Sequence, residues 1–201
     1  MRNFFTKLLN RKLYKVLSVI MAVIWTALGA LVLVRGVLRV YVYPLKYKEE
    51  VLSACEEFYL EPCLIFAMIK TESGFRASAE SNKGALGLMQ MTAQTGEYVA
   101  QKMGVEEFDL KDAVTNINFG CYYLRYLITR FNNVNTALTA YNAGEGNVSA
   151  WLKDKKYSLD GVTLNEIPFP ETSKYVKKIN RSLLKYRKLY GNILDKQKKF
   201  S

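Results

Sequence analysis

The sequence contains no histidine and only three cysteines. Without histidine there is no Ser-His-Asp or Cys-His nucleophile, no imidazole proton shuttle and no zinc site of the His-containing kinds. Three cysteines are too few for an all-thiolate tetrahedral site. An enzyme built from this chain without a cofactor must do its acid–base work with carboxylates, tyrosine or lysine. Acids are also missing from one end. Residues 1–48 carry nine cations and no acid, residues 49–149 carry seven cations against thirteen acids, and residues 150–201 carry thirteen against five. The net charge of +11 therefore belongs to the two ends, while the middle is acidic. A domain that reads phosphate backbones is normally basic where it reads them, so nucleic acid is not an expected partner.

What is present, first, is a long apolar run. Val16 to Val34 holds no ionisable group, and a helix of that length spans about 28 Å, close to the hydrocarbon thickness of a bilayer. The run exceeds a signal-peptide core and no Ala-x-Ala site follows before Arg35, which favours a retained membrane anchor over a cleaved leader. The expected organisation is a basic cytoplasmic tail at 1–15, a transmembrane anchor at 16–34, a linker at 35–46, a catalytic-sized domain at 47–192 and a basic tail at 193–201. With 201 residues, one compact domain remains once the anchor is set aside.

Helical signals dominate that domain. They predict helices near Tyr47–Tyr59, from Pro62 to Ser73, near Thr92–Met103 with a stop at Gly104, and near Thr115–Phe131. Others follow near Asn135–Asn142 with a stop at Gly144, near Asn147–Lys153, and from about Glu171 to Tyr190. A short extended piece is expected at Asp160–Ile167, and a loop-rich middle between Gly74 and Met91. Cys55, Cys63 and Cys121 have no metal-like spacing, and either one disulfide or three buried thiols is compatible with them.

One carboxylate sits oddly. Ile65, Met68, Ile69 and Glu72 fall at i, i+3, i+4 and i+7, which puts Glu72 on the apolar face of its helix. Burial there would raise its pKa and let it hold a proton near neutral pH, as a general acid must; in the last turn it can equally reach solvent. Tyr141 shares a face with Val134, Ala137 and Leu138 and reads either as a core aromatic or as a site residue.

Taken in order, Glu72-Ser73-x-Phe75, Gly87-Leu88-Met89-Gln90 and Ala140-Tyr141-Asn142-Ala143-Gly144 resemble the three successive motifs of the soluble-type lytic transglycosylases. These are peptidoglycan-cleaving enzymes of glycoside hydrolase family 23. The likeness extends to Asn116-Ile117 with Gly120 and Tyr123-Leu124, and to Ile167-Pro168-Phe169-Pro170-Glu171-Thr172 with Tyr175-Val176, so it spans about residues 45–190. It implies a mainly α, goose-type lysozyme-like domain after one transmembrane helix, with no cofactor and no metal.

By the same resemblance Glu72 is the catalytic acid/base, with Ser73, Gln90, Tyr141, Asn142, Glu171 and Tyr175 in the substrate-binding set and Tyr141 holding the Glu72 carboxyl group. The implied reaction cleaves the MurNAc–GlcNAc bond of peptidoglycan glycan strands to a 1,6-anhydro end. The implied place is the cell membrane, single-pass through residues 16–34, with the N-terminus cytoplasmic and the domain outside, where cell-wall or envelope-complex proteins are further partners. Alternatives are a muramidase that recruits Glu80 as a second carboxylate, and a non-catalytic wall-binding scaffold. One departure is evident: Met89-Gln90-Met91-Thr92-Ala93 lacks the Met and Pro that many members carry at the last two positions, and Thr92 there is suited to cap the next helix.

Overall fold

The computed structural model describes residues 2–197, with side chains from Leu13 to Leu194. Met1 and residues 198–201 of the two basic tails lie outside the described residues. The chain divides into two units, Met1–Pro44 and Leu45–Ser201, two residues before the domain start expected from sequence.

The first unit is helix α1, Arg2–Val37, continued by a π-helical turn, Leu38–Val42. Helix therefore occupies most of the expected 35–46 linker. Nothing between Arg35 and Tyr43 breaks a helix, whereas Pro44 disfavours helical geometry at Tyr43, which leaves it at φ −129° and ψ 61°. The stretch Leu13–Val42 has a mean hydropathy of 2.5 and none of its most apolar window is buried. Its two aliphatic hydroxyls are satisfied within the helix: Ser18 Oγ donates to the Lys15 carbonyl at 2.8 Å and Thr26 Oγ1 to the Val23 carbonyl at 2.9 Å, as a helix in hydrocarbon requires.

The second unit is helical, and no strand forms among the described residues. Its helices are α2 (Lys48–Glu57), α3 (Pro62–Glu72), α4 (Ala93–Met103), α5 (Ala113–Phe131), α6 (Val134–Ala143), α7 (Glu145–Lys153) and α8 (Pro170–Gln197). The caps explain the boundaries. Thr92 accepts from the Thr95 amide at 3.2 Å, as its position suggested, and Gly104 ends α4 at φ +69°. Helix α5 starts two residues earlier than expected because Asp112 accepts from the Thr115 amide at 2.8 Å. Asn133 does the same for α6 through the Thr136 amide at 3.0 Å. Helix α8 runs past Tyr190, through Gly191 and into the segment expected to be a tail. Leu194 is 2% exposed, and burying that side chain outweighs the roughly 1 kcal/mol penalty of an interior glycine.

The expected extended piece at Asp160–Ile167 is instead a loop wound on Asp160. That carboxylate accepts from the amides of Val162 and Thr163 at 2.9 and 2.7 Å and from the Thr163 hydroxyl at 2.6 Å. These bonds to the ionised form hold its pKa well below the usual carboxylate range. All three cysteines are buried and no disulfide joins them.

Helix α3 runs through the middle of this unit. Cys63 through Ile69 are all buried, and α8 packs along it. A helix apolar on every side has to be covered on every side. Phe66, fully buried, stacks on Tyr186 of α8 at 5.7 Å between ring centroids.

Candidate active site

The buried course of α3 ends abruptly at Glu72. Ser73 closes the helix, and Gly74 and Phe75 follow at φ +61° and +65°. Left-handed geometry is uncommon for a phenylalanine, and burial of its ring, which packs 6.4 Å from Phe66, holds the reversal in place. The chain thus turns back at once, and Glu72 is left at the lip of the core, half-buried.

Ser73 does not reach the site. It is 2% exposed, and its hydroxyl lies 2.8 Å from the Leu88 carbonyl and 3.1 Å from that of Ile69. Instead of touching sugar, as the resemblance implied, it pins the loop at 84–91 to the end of α3.

That loop is a compact turn held from below by Asn116. Its Oδ1 accepts from the Met89 amide at 2.7 Å, and its Nδ2 donates to the Leu86 and Leu110 carbonyls at 2.9 and 2.7 Å. Gly87 is obligatory here: it sits at φ +76°, and a Cβ would lie 2.3 Å from Asn116 Nδ2 and 2.5 Å from the Leu110 carbonyl oxygen. Gly120 of α5 leaves the room that Met89 fills. Gln90, at φ +51° and half-buried, donates its Nε2 to the Gly87 and Ala79 carbonyls at 2.9 and 3.2 Å. One Gln90 donor group is therefore spent on shaping the loop. Asn116 is fully buried on α5, and its clamp role comes from the backbone groups packed around it, which its residue type and place in the sequence do not reveal.

Tyr141, from the last turn of α6, corrects an expectation. Its hydroxyl donates to the Met89 carbonyl at 3.0 Å and lies 3.2 Å from Met91 Sδ, so it braces the loop and does not hold Glu72. Burial pushes the Tyr141 hydroxyl well above its usual pKa, and the charge of Glu72 nearby pushes the same way.

The partner of Glu72 comes from α8. Tyr175, 8% exposed, donates its hydroxyl to Glu72 Oε1 at 2.5 Å. Burial raises the Glu72 pKa from 4.5 to about 7, against the opposing pull of the Tyr175 hydrogen bond and the Lys178 charge. Lys178, one turn beyond Tyr175, donates Nζ to the Thr71 carbonyl at 3.4 Å. Burial and the same carboxylate push the Tyr175 hydroxyl well above its usual pKa, so it remains a donor. The result is a carboxyl group that exchanges its proton near neutrality, braced by a hydroxyl that keeps its own.

Two of the remaining residues lie nearby on the surface. Asn142 is exposed and accepts from Thr172 Oγ1 at 2.7 Å, which ties the end of α6 to the start of α8. Glu171 is exposed and only loosely paired, 3.9 Å from Lys83, so it contributes no buried charge. Glu80 is also exposed and pairs with Lys111 at 3.5 Å.

An apolar helix that ends on a raised-pKa carboxyl group, beside a Gly-bearing loop and two tyrosines, is an arrangement suited to general acid–base chemistry. Its relatives are evident. A family model, "Transglycosylase SLT domain", matches residues 50–161, over half of the chain, and the chain belongs to that family. The chain is 32% identical over 155 residues to a soluble lytic murein transglycosylase of Salmonella typhimurium, covering 74% of this chain and 24% of that protein. It is 30% identical to a membrane-bound lytic murein transglycosylase C of Serratia proteamaculans, covering 71% and 47%. A crystal structure of the lytic transglycosylase Slt of Pseudomonas aeruginosa, an inactive Glu-to-Gln mutant, superposes with a TM-score of 0.64 at 30% identity, covering 73% and 24%. The chain thus spans a quarter to a half of the length of these proteins. The fold is the mainly α, lysozyme-like one expected from the sequence.

Proposed function

We propose that this protein is a membrane-anchored peptidoglycan lytic transglycosylase in which Glu72 alone serves as general acid and then general base. The observation that carries the proposal is the half-buried Glu72 carboxyl group, held by Tyr175 with a pKa of about 7. Most glycosidases that use water or a covalent intermediate have two carboxylates flanking the bond. Here the candidate second acid, Glu80, is exposed, with Lys111 3.5 Å away, and no buried second carboxylate faces Glu72 among the described residues.

In the first step protonated Glu72 gives its proton to the glycosidic oxygen between MurNAc and GlcNAc as the C1–O bond breaks. The substrate's own N-acetyl carbonyl oxygen supports the cationic C1. In the second step the Glu72 carboxylate takes the proton of the C6 hydroxyl while O6 bonds to C1, which closes a 1,6-anhydro ring. Glu72 ends protonated, and no water is consumed. A pKa near neutrality suits both halves, because donor and acceptor forms are each accessible. Tyr175 favours the ionised form and so assists the first half, in which Glu72 gives up its proton.

The inactivity of a Glu-to-Gln mutant of the Pseudomonas relative supports an essential glutamate in this family's site. Membrane attachment rests on α1, whose Leu13–Val42 stretch is long and apolar enough to cross a bilayer, and on the membrane-bound relative from Serratia. Peptidoglycan lies outside the cytoplasmic membrane, so the N-terminus is inside and the domain outside. The cations of the leading tail agree with that orientation.

The test is digestion of purified peptidoglycan with the wild type and with Glu72→Gln. Sugar ends one water lighter than reducing ends, formed by the wild type alone, support the proposal. Reducing ends alone would assign a hydrolase, and an active Glu72→Gln variant would remove Glu72 from the chemistry.

A further inference from the structure

An exposed aromatic ring stands at the start of α8. Phe169 is 46% exposed although it is large and apolar, and its neighbours hold it still. Pro168 and Pro170 restrict the backbone on both sides of it. Its carbonyl accepts the Ser173 amide at 3.0 Å, which fixes it to the first turn of α8. The Trp151 ring of α7 meets it edge to face, centroids 4.9 Å apart and planes at 85°. A ring braced in this way gives up little further freedom on binding, the property that makes rigid aromatics effective anchors.

The position of the ring gives the exposure a meaning. Phe169, just before the first residue of α8, and Thr172 and Tyr175 within it follow at i, i+3 and i+6. Tyr175 grips Glu72, and Thr172 grips Asn142. Six residues of helix rise about 9 Å, a span of roughly two pyranose units. Resting on the function proposed above, we infer that Phe169, backed by Trp151, is a stacking platform for a pyranose ring of the glycan strand, one or two sugars from the bond that Glu72 cleaves. The chemistry fits. One face of a β-linked pyranose is a patch of axial C–H groups with slight positive charge, complementary to the negative face of an aromatic ring. The platform takes an uncharged sugar face, so it recognises the glycan and not the charged peptides attached to it.

The full-length chain tests this with Phe169→Leu, which keeps apolar bulk against Trp151, and Phe169→Trp, which keeps an aromatic face. On soluble glycan strands of graded length, Phe169→Leu should raise the apparent KM about three- to tenfold, the range expected for loss of one aromatic contact. Its kcat, pH profile and Tm should stay at wild-type values, and the preference for long strands over short ones should shrink. Phe169→Trp should restore the KM. In a Trp25→Phe background Trp151 is the sole tryptophan, and its emission should shift on adding chitopentaose and lose that response with Phe169→Leu. An unchanged KM, an unresponsive Trp151, or a joint fall in kcat and Tm that Phe169→Trp fails to repair would overturn the platform. A wild type that releases no sugar ends from peptidoglycan would instead overturn the underlying function, whatever Phe169 does.

Discussion

The Val16–Val34 run of α1 and the Cys63–Ile69 run of α3 are both apolar, yet the chain itself covers only the second. Cys63 through Ile69 of α3 are buried by the protein itself. In α1 the corresponding residues face outward: Trp25 is 67% exposed, and no residue of the most apolar window is buried. Length separates the two. Thirty residues from Leu13 to Val42 suffice to cross a bilayer, whereas the eleven of α3 suit the diameter of a small domain. The two also end differently. Arg35 and Arg39 follow the apolar run of α1, as suits a helix entering a head-group layer, while α3 ends on a carboxyl group that the core has partly desolvated. On the function proposed above, one apolar helix anchors and the other places an acid.

The largest effect expected from breaking this contrast lies at the end of α3. Glu72→Gln should lower the rate on peptidoglycan about a hundred- to ten-thousandfold, the contribution of general acid–base assistance. The same change should help folding at alkaline pH. With the folded pKa raised to about 7 and an ordinary unfolded value of 4.5, the folded state binds the extra proton between those limits, so stability falls as pH rises from 4.5 to 7. Thermal melts should therefore show Glu72→Gln more stable than wild type at pH 8 and no gain at pH 4. An unchanged difference between those two values would mean that Glu72 is not desolvated.

Next comes the body of each helix. Met68→Ala in α3 should cost the domain about 2–5 kcal/mol in denaturant unfolding, because Met68 is fully buried. Ile20→Ala in α1 should leave the domain's melting temperature unchanged. Equal effects would erase the distinction between the two helices.

Smaller still are the changes around the carboxyl group. Tyr175→Phe removes a hydrogen bond that favours ionised Glu72, so the alkaline limb of the activity profile should move to higher pH, and the maximal rate should fall about tenfold. Lys178→Gln should move that limb the same way by less, as the lesser of the two opposing influences. A shift toward lower pH in either variant would contradict the assignment.

Much of this site was legible in the sequence, and the illegible parts have a common cause. The i, i+3, i+4, i+7 spacing was enough to put Glu72 on the apolar face of α3. Which hydroxyl would meet it was not readable, because Tyr175 lies 103 residues away and only the packing of α8 along α3 brings it in. Tyr141 and Ser73 sit in the same neighbourhood, but each is claimed by a loop carbonyl, and backbone acceptors are invisible to motif reading. The helix starts were missed by one or two residues where Asp112 and Asn133 cap, a signal that was present in the residue types. The far end of α8 was missed because Gly191 reads as a stop until the burial of Leu194 is known.

The central claim is that one carboxyl group on α3 cleaves the glycan without water. Digestion of purified peptidoglycan by the full-length protein in heavy-oxygen water, followed by mass spectrometry of the new sugar ends, tests it most directly. The account predicts 1,6-anhydro ends that carry no heavy oxygen. Reducing ends labelled at C1 would contradict it and place a water, and a second base to activate it, in the site.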